Sequence, residues 1–124
     1  MELQKIKGSF SICKIASMEQ IDFSRELFFI AKTHDEISLV CETAYVPQKS
    51  IAVENGWSAL KILGILDFGL VGVVSKISNI LANGGVSIFV VSTFNTDYIL
   101  LKNENFDTGL ELLIREGYIV SDGD

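Results

Sequence analysis

The chain has 124 residues, 48% of them hydrophobic, and its formal net charge at pH 7 is −6. This length allows one domain or two very small ones, and so short a chain has a high surface-to-volume ratio, so we expect a partner to cover part of its apolar surface. The negative charge, which no basic cluster offsets, disfavours nucleic-acid binding and attachment to an anionic membrane.

The N-terminal half predicts strands. After Gly8, the apolar residues of the segment SFSICKIA follow a strand pattern, and the mixed polar stretch that comes next predicts no more than one short helical turn. Two runs rich in β-forming residues, Leu27–Lys32 and Ile37–Glu42, predict a hairpin. The stretch around Pro47 has weak periodicity and predicts an irregular connection, and a new strand is expected from Trp57.

The C-terminal half predicts two helices set between strands. Apolar residues at helical spacing predict a helix over Leu70–Asn83, and Gly84 suits a left-handed cap at its end. Four further elements are predicted in order: strand Val86–Val91, its hairpin partner Tyr98–Leu101, a helix from the N-cap Asn105 to Gly117, and strand Tyr118–Val120.

The order of these elements predicts the fold. From Trp57 the order is strand, helix, strand, strand, helix, strand, which is the split βαβ arrangement of the ferredoxin-like fold. The N-terminal half keeps a strand and a hairpin but no clear helix, and no sequence repeat is obvious between the halves. We therefore expect an α+β fold of two ferredoxin-like βαββαβ units, a degenerate one over residues 1–56 and a complete one over residues 57–124.

The same pattern predicts a core and an oligomer. Strand Val86–Val91 is apolar on both faces, whereas the helices of a ferredoxin-like unit cover only one face of its sheet. The other face needs cover from the N-terminal unit or from another chain, and a homodimer is expected. The predicted core residues are Ile12, Phe29, Ile30, Leu39, Leu63, Val74, Ile77, Leu81, Ile88, Val90, Leu100, Leu110 and Leu113.

Two segments resemble a known family. The segment LDFGLVGVVSKISNILANGGVSIFVVST looks like the first strand, loop, helix and strand of an ACT domain, a small regulatory module that binds amino acids. Asp67, Phe68, Gly69 and Leu70 stand where that family usually has Asp, Pro-Gly and an aliphatic residue, with Phe68 in place of the Pro. The segment VSTFNTDYILL is similar to bacterial stand-alone tandem ACT proteins and to the cytosolic arginine sensors of eukaryotes.

The two segments would suit a small zwitterion. The N–H groups around Gly69 and Val71, at the start of the predicted helix, would hold a carboxylate, and Asp67 would accept from an ammonium group. On the second segment, Thr93 and Asn95 supply neutral hydrogen-bonding groups and Phe94 an apolar wall. Asp97 would pair with a basic side chain if it points inward, and a small neutral side chain is the alternative if Asp97 is solvated. The predicted ligand-binding residues are Asp67, Phe68, Gly69, Leu70, Val71, Thr93, Phe94, Asn95 and Asp97.

These residues also have purely structural explanations. Asp67 suits a tight turn or a helix dipole, and Ser92–Asp97 suits an ordinary hairpin loop. The alternative function is therefore a structural dimerisation or scaffold protein with a vestigial ligand site. The expected partners are an amino acid, a second copy of the chain, and an enzyme or transporter that the module regulates.

Other chemistry has little support in the sequence. A catalytic role is not expected, because His34 is not near a Ser or Cys nucleophile and the GLVG segment lacks the Lys-Ser/Thr of a phosphate loop. No cofactor or metal site is expected, since there is one histidine and no cysteine pair at ligand spacing. No membrane-spanning run and no signal peptide are evident, so we expect a cytoplasmic protein with Cys13 and Cys41 reduced and buried, with a single disulfide as the alternative.

Overall fold

A computed structural model describes residues 1–64 and 71–123 of the chain. Short 3-10 helices at Met18–Gln20, Thr43–Tyr45 and Asn103–Asn105 accompany its main elements. The strands and helices are, in chain order, β1 (Glu2–Ile15), β2 (Phe28–Lys32), β3 (Ile37–Glu42), β4 (Ala52–Ile62), α1 (Val73–Asn83), β5 (Ile88–Ser92), β6 (Asp97–Lys102), α2 (Phe106–Arg115) and β7 (Ile119–Ser121).

The chain divides into two compact units. The first unit is Gly8–Trp57, and the second unit is Met1–Lys7 together with Ser58–Asp124. The boundaries between the units fall inside β1 and inside β4, so each of these strands contributes residues to both. The predicted domains, residues 1–56 and 57–124, stay a prediction.

The second unit combines a sheet with two helices. Its strand order is β7–β1–β4–β6–β5, with β7 parallel to β1 and β5 antiparallel to β6. The apolar faces of α1 and α2 pack on one side of this sheet, because both helices carry their apolar residues at helical spacing. The buried residues of this core are Leu3, Leu60, Ile62, Ile77, Leu81, Val86, Ile99, Leu101, Leu113 and Tyr118.

The first unit has the same kind of sheet without α-helices in the described residues. Its strand order is β2–β3–β1–β4, and β3 pairs antiparallel with both β1 and β2. Its core is small and is formed by Cys13, Ile15, Ile21, Leu39 and Cys41. The chain between β1 and β2 is about half as long as the chain between β4 and β5, and it contains only the 3-10 helix Met18–Gln20.

The hairpins of the two units have the same register. In the first unit Phe28 pairs with Cys41, and in the second unit Ile88 pairs with Leu101, so that equivalent residues lie sixty positions apart in sequence. The burial of β3 and β6 also matches position by position. The strands before the hairpins share a short sequence as well, SICKI at the end of β1 and SALKI at the end of β4, which the sequence analysis overlooked.

Several predicted elements are confirmed and several boundaries were wrong. Both hairpins and both helices are present, as is the helical turn after β1. However, β1 already begins at Glu2, and Gly8, predicted as the break before the strand, lies within it at a φ of 97°. Strand β4 begins at Ala52 and not at Trp57; its first residues are exposed, so burial imposes no alternation from which the start could be predicted. Helix α1 begins at Val73, after Val71 and Gly72, and the predicted first residue Leu70 lies outside the described residues.

The end of α1 was also predicted with the wrong glycine. Gly84 has a φ of −92°, and the left-handed conformation belongs to Gly85, with a φ of 77°. Gly84 serves a different purpose, since a Cβ atom at this position would force the end of the Leu112 side chain on α2 to move. Gly85 therefore provides the left-handed turn after α1, and Gly84 allows close packing against Leu112.

The predicted core is correct in part. Leu39, Ile77, Leu81, Leu100 and Leu113 are buried, and the other predicted core residues are half-buried. The sequence analysis missed Leu3, Phe10, Leu60 and Ile62, which are among the most deeply buried side chains of the described residues. They lie on β1 and β4, which have neighbouring strands on both sides, so their burial depends on sheet order and not on local pattern.

Two further expectations concern exposure and redox state. The side chain of Leu100, on the sheet face opposite the helices, is fully buried, and Phe89 beside it is half-buried, so this face is already covered in part within the chain.

Cys13 and Cys41 are free and buried, as predicted. No helix of the described residues is long and apolar enough to cross a membrane.

Candidate functional site

The turn between β5 and β6 holds most of the predicted site residues that the structure describes. The Thr93 N–H donates to the Thr96 carbonyl oxygen at 2.8 Å, and the Thr93 hydroxyl donates to the same oxygen at 2.9 Å. In return, the Thr96 N–H donates to the Thr93 hydroxyl oxygen at 3.3 Å. Thr93, predicted as a ligand contact, therefore holds the shape of the turn.

Thr96 connects this turn to the end of β4. Its side chain is 5% exposed, and its hydroxyl donates to the carbonyl oxygen of Ile62 at 2.6 Å. Ile62 is the last residue of β4, from which the chain continues toward Asp67. The sequence analysis did not select Thr96, because a threonine in a polar turn gives no sign that it is buried.

The remaining predicted residues differ in exposure. Phe94 is 78% exposed and Asn95 is exposed at the tip of the turn, whereas Asp97 is half-buried at the start of β6, opposite Ser92. Val71 is 91% exposed just before α1. The predicted residues Asp67, Phe68, Gly69 and Leu70 lie outside the described residues, so the structure does not test their part of the site.

A cavity of about 340 Å³ lies at the N-terminus of α1. Val71 and Gly72 line it from the start of the helix, and Lys76 lines it one turn further on. Gly72 is the N-cap residue at a φ of 81°, and having no side chain it cannot bond to the first N–H groups of α1. These N–H groups carry a partial positive charge, which the Lys76 ammonium reinforces.

Glu116 and Tyr118, just after the C-terminal end of α2, also line this cavity, together with Met1. Burial, together with the neighbouring Glu116 carboxylate, raises the pKa of the Tyr118 hydroxyl. Because Lys76 and Glu116 both line the cavity, its charges suit a zwitterion better than a ligand of a single charge.

In the first unit, side chains bond the N–H groups that follow β1. The Gln20 Oε1 atom accepts from the N–H groups of Ala16 and Ser17 at 2.9 and 3.1 Å, and the Ser17 hydroxyl accepts from the Glu19 N–H at 3.2 Å. The Gln20 Nε2 atom donates to the carbonyl oxygen of Lys49 at 3.4 Å. This capping box satisfies the N–H groups that follow β1.

Metal chemistry has no candidate site in the residues that the structure describes. Within residues 1–64 and 71–123, no three side chains of the His, Cys, Asp and Glu types lie close enough together to hold a metal ion. Burial raises the pKa of the Cys13 and Cys41 thiols, that of Cys41 to about 12. These thiols are therefore poor ligands and poor nucleophiles at neutral pH.

Comparison with protein-family models identifies the fold. The model of the ACT domain matches residues 52–115, which is more than half of the chain. The chain belongs to the ACT domain family. ACT domains are generally regulatory modules that bind amino acids, and an α+β fold with a largely antiparallel sheet and two helices is consistent with that family.

Solved structures agree with this assignment. The crystal structure of protein Atu0741 from Agobacterium tumefaciens is 30% identical, with a TM-score of 0.86 over 99% of this chain and 93% of that one. Protein VC0802 from Vibrio cholerae is 19% identical, with a TM-score of 0.72 over 92% of this chain and 88% of that one.

A third structure, the regulatory subunit of aspartate kinase from Thermus thermophilus, is 9% identical, with a TM-score of 0.58 over 89% of this chain and 93% of that one. Its likeness to this ACT protein supports the fold alone. A search of curated proteins found no match.

Proposed function

We propose that this ACT domain protein is a regulatory module that binds an amino acid. The observation that supports this function best is the cavity at the N-terminus of α1, which both Lys76 and Glu116 line. An amino acid carries a carboxylate and an ammonium group, so a cavity lined by charges of both signs suits it.

The proposed site extends from this cavity toward the turn between β5 and β6. The ligand carboxylate would meet the N–H groups around Gly69 to Val71 and those of the first turn of α1. Its ammonium would meet Asp67 or a strand carbonyl. The bond from Thr96 to Ile62 supports this arrangement, because it holds the turn next to the end of β4, the strand that precedes Asp67 in sequence.

The side chain of the ligand would reach toward the turn. Asn95 would supply a neutral hydrogen-bonding group and Phe94 an apolar wall, while Asp97 would supply a negative charge. Asp97 is half-buried, and a carboxylate in that environment is stabilised by a cationic partner. The site therefore favours an amino acid with a basic side chain.

The proposal includes two βαββαβ units, with the first one degenerate. The matched register of the two hairpins and the shared Ser-x-x-Lys-Ile sequence at the ends of β1 and β4 support a common origin. In the first unit the short links that contain Met18–Gln20 and Thr43–Tyr45 occupy the places of α1 and α2. A cytoplasmic location, a homodimer and a regulated enzyme or transporter complete the proposal.

A thermal-shift screen with the twenty amino acids tests the function. Binding to the folded state raises the melting temperature, and a free concentration of 100 times Kd adds about 2.7 kcal/mol to stability. We expect one or a few amino acids, L-arginine or L-lysine among them, to raise the melting temperature. No shift with any amino acid, together with concentration-dependent association in sedimentation, would favour the scaffold function instead.

A further inference from the structure

The sheet face that carries α1 and α2 changes from apolar to polar along its strands. On β1, Leu3, Lys5 and Lys7 occupy alternate positions and so lie on one face, where Leu3 packs in the core beneath the helices. On β4, Leu60 and Ser58 share a face in the same way, and Leu60 belongs to that core. The two strands therefore place two ammonium groups and a hydroxyl next to the edge of the core.

A cavity of about 480 Å³ lies over this polar part of the sheet. Lys5, Lys7 and Ser58 line it from the strands, and Phe106 lines it from the first turn of α2. These residues all belong to the second unit, and none of them lines the cavity at the N-terminus of α1. Cavities of a few hundred cubic ångströms are typical of sites for small organic ligands. The second unit thus has a second cavity of suitable size for a ligand.

The C-terminal residues form the remaining wall of this cavity. The Asp122 carboxylate pairs with the Lys5 ammonium at 2.7 Å, and the Ser121 hydroxyl donates to the Leu3 carbonyl oxygen at 3.4 Å. Gly123 lies so close to the carbonyl oxygen of Lys5 that a Cβ atom would not fit between them. This wall is therefore held against β1, and it brings one carboxylate to the cavity.

The side chains that line the cavity carry an excess of one positive charge. Lys5 is paired with Asp122, whereas Lys7 is exposed and makes no ion pair with a described residue. A hydrogen bond and the charge of Lys5, and to a smaller extent the charge of Lys7, lower the pKa of the Asp122 carboxyl. Both ammonium groups thus act on the same region. Since like charges repel, an anion that contacts both of them is stabilised there.

Phe106 gives the cavity an aromatic surface. Its side chain is half-buried and packs against the core of the second unit, so the ring is held in place while part of it lines the cavity. A ring held in this way is a stacking surface for a flat aromatic group. The cavity therefore suits an anionic group that is attached to a flat aromatic body.

We propose that this cavity binds a nucleotide, with its phosphate at Lys5 and Lys7 and its base against Phe106. The phosphate accepts hydrogen bonds from both ammonium groups, and it competes with the Asp122 carboxylate for Lys5. The Ser58 hydroxyl donates to the Asn103 Oδ1 atom, which fixes the floor of the cavity beside the two lysines. The proposal does not depend on the amino acid site, because the two cavities share no lining residue.

Titration calorimetry with AMP tests the proposal, with adenosine and inorganic phosphate as the two halves of this probe. AMP is suitable because stacking on an aromatic ring tolerates any base. We expect AMP to bind at least about tenfold more tightly than either half. Lys7→Gln should weaken AMP binding by about three- to tenfold, because an exposed charged partner of the phosphate is lost. Asp122→Asn should instead strengthen AMP binding, because the competing carboxylate is removed.

The control is Lys32→Gln, the same change at an exposed lysine of β2 in the first unit, which should leave Kd within about twofold of the parent value. Equal effects of Lys7→Gln and Lys32→Gln would overturn the proposal, as would weaker AMP binding by an Asp122→Asn variant that circular dichroism shows to be folded. Inorganic phosphate or adenosine binding as tightly as AMP would overturn it too. Absence of saturable AMP binding would overturn the nucleotide site and leave the proposed amino acid site untouched.

Discussion

At the scale of single residues, Asp97 is the side chain to which the proposed site assigns the choice of ligand. Removing one partner of a charged hydrogen bond costs roughly 1.5–3 kcal/mol, so Asp97→Ala should weaken a basic amino acid by about ten- to a hundredfold. Calorimetry with L-arginine or L-lysine measures the change. Asp107→Ala, an exposed carboxylate in the first turn of α2, is the control and should leave affinity unchanged.

Thr96 should matter for stability. Thr96→Val keeps the shape of the side chain but leaves the Ile62 carbonyl oxygen without the hydroxyl that donates to it. An unsatisfied buried polar group costs about 1–3 kcal/mol, so the free energy of unfolding in urea should fall by that amount. Thr108→Val, at an exposed position of α2, should change it by less than about 0.5 kcal/mol. Equal effects of the two substitutions would contradict the role of Thr96.

Cys41 should make stability fall at alkaline pH. Burial, with a smaller effect of the neighbouring Cys13, raises the pKa of the Cys41 thiol from its ordinary value of 9.0 to about 12. Above pH 9 the unfolded chain loses this proton while the folded chain keeps it, so stability is complete below pH 9 and is lost as the pH rises toward 12. The loss reaches at most about 1.4 kcal/mol per pH unit for one thiol.

Urea unfolding of the parent and of Cys41→Ala measures this difference. Between pH 8 and 10.5 the free energy of unfolding of the parent should fall more steeply than that of the variant. Parallel curves would show that Cys41 ionises equally in both states. Since the comparison concerns slopes, any loss of packing in the variant at neutral pH does not affect it.

At the scale of helices and strands, α2 lies unusually close to β6 at Gly109. A Cβ atom there would come within 2.5 Å of Leu101 Cδ2, and Leu101 and the nearby Leu81 are both fully buried. Gly109→Ala gains about 1 kcal/mol of helix propensity, but crowding in a packed core costs about 1–3 kcal/mol, so we expect a net loss. Thermal unfolding measures it, with Thr108→Ala on the exposed side of α2 as the control. A more stable Gly109→Ala variant would show that the helix can shift outward.

Helices and strands are predictable from the sequence where one of their faces is buried, because burial then places apolar residues at a regular spacing. The apolar stripes of α1 and α2 and the alternation in both hairpins reflect contacts with a core, so they can be read without a structure. The start of β4 could not be read in this way, since its first residues are exposed and only pairing with β1 makes them a strand. The role of Gly84 was predicted wrongly, because the side chain that packs against it belongs to Leu112, which is distant in sequence.

Less of the candidate site than of the fold could be predicted from the sequence. The resemblance selected the turn with Thr93, Phe94, Asn95 and Asp97, and the structure shows that this turn is tied to the end of β4. Thr96 and the charged walls of the cavity were missed, because a contact between α1 and the end of α2 leaves no local signature in sequence. The contribution of residues 67–70 stays a prediction.

At the scale of the whole chain, the first residues complete the unit formed by the last ones. Leu3 is fully buried in the core of the second unit, and Glu2 pairs with Ile119 of β7. Leu3→Ala should therefore lower the free energy of unfolding by about 2–5 kcal/mol. Ile119→Ala, on the paired strand but exposed, should cost much less. Chemical denaturation compares them, and a small effect at Leu3 would show that the N-terminal strand is dispensable.

The second unit contains residues from both ends of the chain, so the two units are completed at different times during synthesis. The ribosome releases Gly8–Trp57 as one continuous segment, whereas Met1–Lys7 leave first and must wait for β7, which leaves last. Because domains fold as their residues emerge, the first unit has all of its strands long before the second has. The unit with the smaller core therefore completes its set of strands first, and the unit that contains Leu3 and β7 completes its set later.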